Sequence, residues 1–357
     1  MPWGLMGQER AVAALERALR EGRVAHAYLF VGPERVGKHT LALKLAQALN
    51  CERAVGAGAP AYEGEERAAE PCGECSPCRR IANGIHADVQ AVTVEEGEEG
   101  SQKGIHVSQI REVERIAALK PFEGRCRAVI IDPAEEMNAA AQNAFLKTLE
   151  EPPPQVVFAL VTADESRLLP TIRSRCRRLE LRLPATAEVE AALVANGVEA
   201  DRARLLGRLS RGRIGWALEA AGDASLLERR EEMLAQARAL ASMSVAERID
   251  LAERLAADFR RKPEALLSAL EAWRDWWRDV LLVQASAEDG TANVDRLAEL
   301  RQDAARYGRD GVAAFVRAVG EAGLNLQENA QPRLVLEHYA RYRYAYGLAE
   351  GPTLPLR

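Results

Sequence analysis

Nowhere in the 357 residues is there a run of the roughly 20 apolar residues that a membrane span requires: 48% of the chain is hydrophobic, but those residues are spread among charges. A secretion signal is missing too, since the apolar residues from Met1 to Val12 are few and are broken by Gln8, Glu9 and Arg10. The chain is therefore expected to be cytoplasmic. Nor does either sign of charge dominate, with 48 Lys and Arg against 53 Asp and Glu for a net charge of -5. That balance excludes a wholly basic nucleic-acid binder, so any DNA contact has to come from a local patch or from partner chains. No internal repeat is evident. Cysteine is scarce, at six residues, yet four of them crowd together as Cys51, Cys72, Cys75 and Cys78. In a reducing compartment such crowding points to metal binding instead of disulfides.

What is present has the length for two or three domains. In the first part, apolar runs alternate with amphipathic stretches, the pattern of a parallel α/β sheet. Strands are predicted at Ala27 to Val31, Ala128 to Asp132 and Val156 to Thr162, with an alternating one at Leu179 to Leu183. After Pro184 the pattern is helical to the end. Domain boundaries are expected there and at Gly222-Asp223, which divides the chain into 1–183, a small helical lid at 184–222 and a helical bundle at 223–357 interrupted by the polar stretch Ala285 to Asn293. Ala54 to Glu70 and the acidic run Glu95 to Glu99 read as mobile surface insertions.

The segment Gly32-Pro-Glu-Arg-Val-Gly37-Lys38-His39-Thr40 follows a predicted strand and opens a helix, the context of a P-loop. Its backbone amides are placed to cradle phosphate oxygens and Lys38 to reach the outer phosphates. The position after the lysine normally carries a Ser or Thr hydroxyl for Mg²⁺; here it is His39, whose imidazole suits softer metals. Thr40 is no simple replacement, because the next residue along a helix points about 100° away. The matching acidic strand ends in Asp132, and the following residue, where an active ATPase of the AAA+ class has a glutamate that orients water, is Pro133. Loss of a positioned base costs about 10² to 10⁴ in rate. Glu135 and Glu136 are near in sequence but would need a slip in register to replace it. Gly32, Gly37, Lys38, Thr40 and Asp132 thus form a degenerate nucleotide site in which ATP or ADP binding stays open and hydrolysis is not expected.

Cys51, then Cys72-Gly-Glu-Cys75-Ser-Pro-Cys78, supplies four thiolates at spacings able to close a tetrahedral zinc site. Four protein ligands leave no open position, so the metal is expected to be structural. Cys126 and Cys176 stand apart and read as small buried apolar residues.

Met6-Gly7-Gln8, His26-Ala-Tyr-Leu-Phe30, Asn143-Ala-Phe-Leu-Lys-Thr-Leu-Glu-Glu-Pro152, Ser174-Arg175-Cys176 and Leu326-Gln-Glu-Asn-Ala-Gln-Pro-Arg-Leu-Val-Leu-Glu337, in that order and spacing, resemble the bacterial DNA polymerase III clamp-loader family. The resemblance implies an AAA+ P-loop domain with an inserted zinc module at about 51–78, a helical lid and an all-α collar that holds several subunits in a ring. Members of the motor type, tau/gamma, carry Ser or Thr, Glu and a lid Arg where this chain has His39, Pro133 and Gly215, with Arg211 and Arg213 close enough for the last correspondence to shift. Those three departures are similar to the non-hydrolysing delta prime type. On residue types alone Arg173, Arg175, Arg177 and Arg178 read equally as a solvated basic face or a DNA-backbone patch. The resemblance makes Arg175 an arginine finger entering a neighbour's ATP site. It also implies tau/gamma and delta subunits, the β sliding clamp and, through the complex, primed DNA as partners, with a nucleoid association through the replisome. The chain would then be a subunit of a DNA-directed DNA polymerase holoenzyme with no ATPase of its own. A motor subunit and a zinc-dependent DNA-binding adaptor are the alternatives.

In the helical remainder Trp273, Trp276 and Trp277 recur at helical spacing, a stripe that reads as packing, with base stacking as the other reading. Arg260-Arg261-Lys262 reads as a solvated charge run ending at Pro263.

Overall fold

A computed structural model describes residues 2–54, 69–95, 104–259, 261–327 and 330–338. The chain divides into two compact units, Met1–Ala192 with Gly212–Trp216, and Leu193–Arg211 with Ala217–Arg357. The division passes through the segment 184–222 expected to form a lid.

Among the described residues the first unit holds strands β1 (Ala27–Val31), β2 (Val89–Val92), β3 (Arg127–Ile131), β4 (Val156–Thr162) and β5 (Arg177–Glu180), in one parallel sheet of order β2-β3-β4-β1-β5. Helices α1 (Glu9–Arg20), α2 (Lys38–Asn50), α3 (Ser76–Ala82), α4 (Val107–Ala117), α5 (Ala139–Glu150) and α6 (Pro170–Arg173) connect and cover it. Every residue of β1, β3 and β4 is buried. Strands packed on both faces lose the alternation of an exposed strand and read as unbroken apolar runs. Alternate side chains still go to opposite faces. Tyr28, Phe30, Ile130 and Val157 pack with Leu15 and Leu19 of α1 and Leu41 and Leu45 of α2, while Leu29, Val129, Phe158 and Leu160 pack with Ile110 and Val113 of α4 and Phe145 and Leu149 of α5.

The edges depart from the sequence reading. β2 was not predicted: Val89 and Gln90 are half-buried, Ala91 is exposed and only Val92 is buried, so it forms no apolar run. β5 lies two residues before the predicted Leu179 to Leu183, pairing Tyr28 with Arg177 and Phe30 with Leu179. It stops because the Gln8 side chain takes over as partner, its Nε2 donating to the Arg182 carbonyl at 2.7 Å and its Oε1 accepting from the Arg182 N–H at 3.1 Å.

The remaining helices are α7 (Thr186–Ala195), α8 (Ala200–Ser210), α9 (Ile214–Gly222), α10 (Ser225–Ser242), α11 (Val245–Phe259), α12 (Pro263–Gln284), α13 (Leu297–Arg306), α14 (Arg309–Gln327) and α15 (Pro332–His338). In the second unit α12 is the core helix. Trp273, Trp276 and Trp277 are 2%, 1% and 0% exposed, so the stripe is packing and offers no face to a base. Trp276 Nε1 donates to Asp303 at 3.0 Å, and Trp277 meets Tyr307 edge-on at 5.2 Å. Asp279, fully buried, accepts the N–H groups of Ala292 and Asn293 at 2.9 and 2.8 Å, which pins the polar stretch predicted at 285–293. Arg278 and Arg211 approach its other oxygen at 3.6 and 3.8 Å. Asp279→Ala is expected to cost about 3 kcal/mol, because two buried N–H donors lose a charged acceptor and two cations a counter-charge; chemical denaturation followed by tryptophan fluorescence measures it.

Several expectations fall outside the described residues: nearly all of the insertions Ala54 to Glu70 and Glu95 to Glu99, Arg260, and Glu328 and Asn329 of the closing segment. Arg261 and Lys262 are exposed, as a solvated run should be. Among the described residues no helix is long and apolar enough to cross a membrane.

Candidate functional sites

In parallel α/β sheets ligands gather beyond the carboxyl ends of the strands. Gly32 follows β1 there, Asp132 follows β3 and Ala163 follows β4. Gly32 has to be glycine, since a Cβ at that position would stand 2.4 Å from the Leu181 carbonyl oxygen. Gly37 caps α2 at φ 102°, in the left-handed region. Lys38 is 7% exposed and donates to the loop's own carbonyls, Gly32 O at 2.6 Å and Pro33 O at 2.7 Å. Burial pulls its pKa below the usual lysine range, while the carboxylates of Glu135, Asp132 and Glu34 work against that pull.

His39 stands where a Ser or Thr hydroxyl was expected, and it makes a contact of its own. Its Nδ1 lies 2.7 Å from Asp132 Oδ2, so the imidazole occupies the carboxylate that would face a metal ion. Thr40 is exposed. Of the nearby glutamates, buried Glu135 accepts the Ala163 N–H at 2.8 Å through Oε1 and leaves Oε2 without a partner, while Glu136 pairs with Arg167 at 2.8 Å. Gly215, the first turn of α9, donates its N–H to the Arg35 carbonyl of the phosphate loop at 2.9 Å. A Cβ at 215 would stand 3.0 Å from that oxygen, tight enough that the loop backbone would have to give by a few tenths of an ångström. Arg211 is committed within the helical unit, to Asp275.

Arg175 lies just past α6. Its Nη2 donates to Glu150 Oε1 at 2.6 Å and its Nη1 to the Thr171 carbonyl at 3.0 Å, and a third of the side chain is exposed. The other arginines of the cluster are not equivalent: Arg178 is spent on Glu165 in a two-pronged pair. Glu150 carried no role in the sequence reading. It was visible only as one letter of the segment Asn143 to Pro152, and no spacing rule links it to a residue 25 positions on.

The four clustered cysteines meet. Their sulfurs all lie within 4.8 Å of one another, with Cys51 and Cys75 3.9 Å apart. Four thiolates around one zinc at about 2.3 Å would be about 3.8 Å apart, so the set fits a closed tetrahedral site. Backbone N–H groups already point at sulfur, as thiolates require: Arg53 and Cys72 donate to Cys51 at 3.4 and 3.5 Å, and Cys75 to Cys72 at 3.3 Å. Burial works to raise the Cys72 thiol, but the N–H groups of Cys75 and Glu74 outweigh it and bring it to about 6. The group is tied to the sheet through α2, where Gln47 donates to the Cys78 carbonyl at 2.7 Å. Cys126 and Cys176 stay apart, their thiols pushed up to about 12 by burial.

Residues 7–185, half of the chain, match the profile of the family described as DNA polymerase III, delta subunit. The chain belongs to that family. Among its relatives, the subunit delta' of Bacillus subtilis is 28% identical over 331 residues, covering 93% of this chain and 94% of the relative. The subunit delta' of Pseudomonas aeruginosa is 40% identical over 163 residues, or 46% of this chain and 45% of the relative. Members called gamma/tau are similar as well: that of Mycobacterium bovis is 31% identical over 359 residues and 93% of this chain, which spans 59% of the relative's length.

Proposed function

We propose that this chain is the delta prime-type stator of a DNA polymerase III clamp loader: it assembles with tau/gamma and delta subunits, lends Arg175 to a neighbour's ATP site and so helps load the β sliding clamp onto primed DNA. The observation that carries this reading is the state of Asp132, engaged by His39 at 2.7 Å and followed by Pro133, where a metal ion and a glutamate would be needed. A guanidinium supplied from another subunit neutralises charge developing on the transferred phosphoryl group. This subunit would therefore contribute to catalysis that it does not itself perform. On the same reading 184–222 is the lid, 223–357 the collar, and the cysteines hold a structural zinc in the P-loop domain. The protein works in the cytoplasm, at the nucleoid, through the complex.

The isolated chain is expected to show no ATP turnover above that of its Lys38→Ala variant in a steady-state assay. Turnover that disappears on Lys38→Ala would instead support the motor reading, which the similarity to the mycobacterial gamma/tau subunit favours.

A further inference from the structure

We infer that Glu150 is a positioning residue for Arg175: its carboxylate and the Thr171 carbonyl hold the guanidinium in the orientation from which it meets a phosphate on the neighbouring subunit. The inference rests on the reading of Arg175 proposed above. A guanidinium carries five N–H donors in one plane. Nη2 to Glu150 at 2.6 Å and Nη1 to Thr171 at 3.0 Å fix that plane at two points and leave the other donors for a ligand.

The backbone that carries both anchors is fixed, while the Glu150 side chain itself is 53% exposed. Glu150 closes α5, whose Phe145 and Leu149 are 0% and 2% exposed in the sheet core, and Thr171 precedes the fully buried Ile172 of α6. The guanidinium is thereby referenced to the sheet that carries the rest of the unit. An arginine swinging freely would surrender its rotamer freedom on docking, whereas one already held does not. The carboxylate also differs from the charges around the other arginines of the cluster, since it engages one nitrogen and leaves the guanidinium outward, while Glu165 takes both the Nε and Nη2 of Arg178.

The test uses the complex assembled from this chain with its organism's motor and delta subunits, clamp and primed DNA, and reads kcat and KM for ATP separately. Glu150→Ala is expected to lower kcat about fivefold, the most that a partly exposed ion pair of this kind delivers, with KM and assembly unchanged. Glu150→Gln, which keeps an oxygen acceptor, should recover part of the loss. On top of Arg175→Ala, Glu150→Ala should change nothing further, because both act through one group. If Glu150→Ala matches wild type or exceeds it while Arg175→Ala abolishes turnover, the positioning role is overturned and the role of Arg175 stands. If Arg175→Ala leaves turnover intact, the proposed finger fails and this inference fails with it.

Discussion

Arg175→Ala in the assembled complex is expected to lower ATP turnover at the neighbouring site by about 10³- to 10⁵-fold, the contribution of a guanidinium supplied in trans to phosphoryl transfer. Assembly should survive, because the side chain is a partly exposed group just past a short helix and its loss empties no part of the core. Arg175→Lys should rescue little: an ammonium is a compact charge on a flexible stem and cannot reproduce a planar fork held at two points. Steady-state turnover with clamp and primed DNA, alongside size-exclusion chromatography of the complex, separates catalysis from assembly. A mutant complex that hydrolyses ATP normally would reduce this subunit to architecture. The neighbouring arginines provide the internal control. Arg178→Ala removes an equal charge three residues away, but one whose Nε and Nη2 are both taken by Glu165, and it should leave turnover near wild type.

The second large effect concerns the cysteines. The purified chain is expected to carry one zinc per molecule, and Cys78→Ala to lose it, as read by elemental analysis. Structural zinc contributes about 10 to 16 kcal/mol of apparent binding free energy in small zinc-dependent modules. Only part of this would reach global stability here, since the sheet has its own core. A loss of about 4 kcal/mol would lower Tm by at least about 8 °C in a domain of this size. A strong chelator should produce the same shift in the wild-type protein and none in the variant. A wild-type protein that is metal-free as purified, and melts identically with and without added zinc, would defeat the assignment despite the 4.8 Å clustering.

What could be read in advance follows burial and sequence distance. β1 and β4 were predicted residue for residue because packing on both faces writes them as unbroken apolar runs. β2 carries no such signature, and β5 showed itself only by alternation and with shifted bounds: at a sheet edge, pairing with β3 and β1 holds strands that composition announces weakly or not at all. The same holds for the site. The P-loop and the cysteine set are local patterns in which spacing is geometry. The bond between His39 and Asp132 joins residues 93 apart, and only the fold brings them together. Sequence showed that imidazole replaces a hydroxyl, but not that it bonds the acidic partner as well. Gly215 could be read as a missing side chain, whereas the Arg35 carbonyl against it shows that the space for one is tight as well.

That last contact bears on evolutionary history. If this subunit descends from an active ATPase, the path back is closed to single steps. Restoring a hydroxyl at position 39 frees Asp132 but leaves Pro133 without a carboxylate, and restoring a glutamate at 133 leaves the metal ligand missing. An arginine at 215 would have to push aside the phosphate loop's own backbone, 3.0 Å from its Cβ, before reaching any phosphate. Each intermediate would bear the strain of its substitution with no recovered turnover for selection to act on. If the proposed stator role holds, such a site would behave as a ratchet, and a lineage that entered it would be held to its partners for hydrolysis.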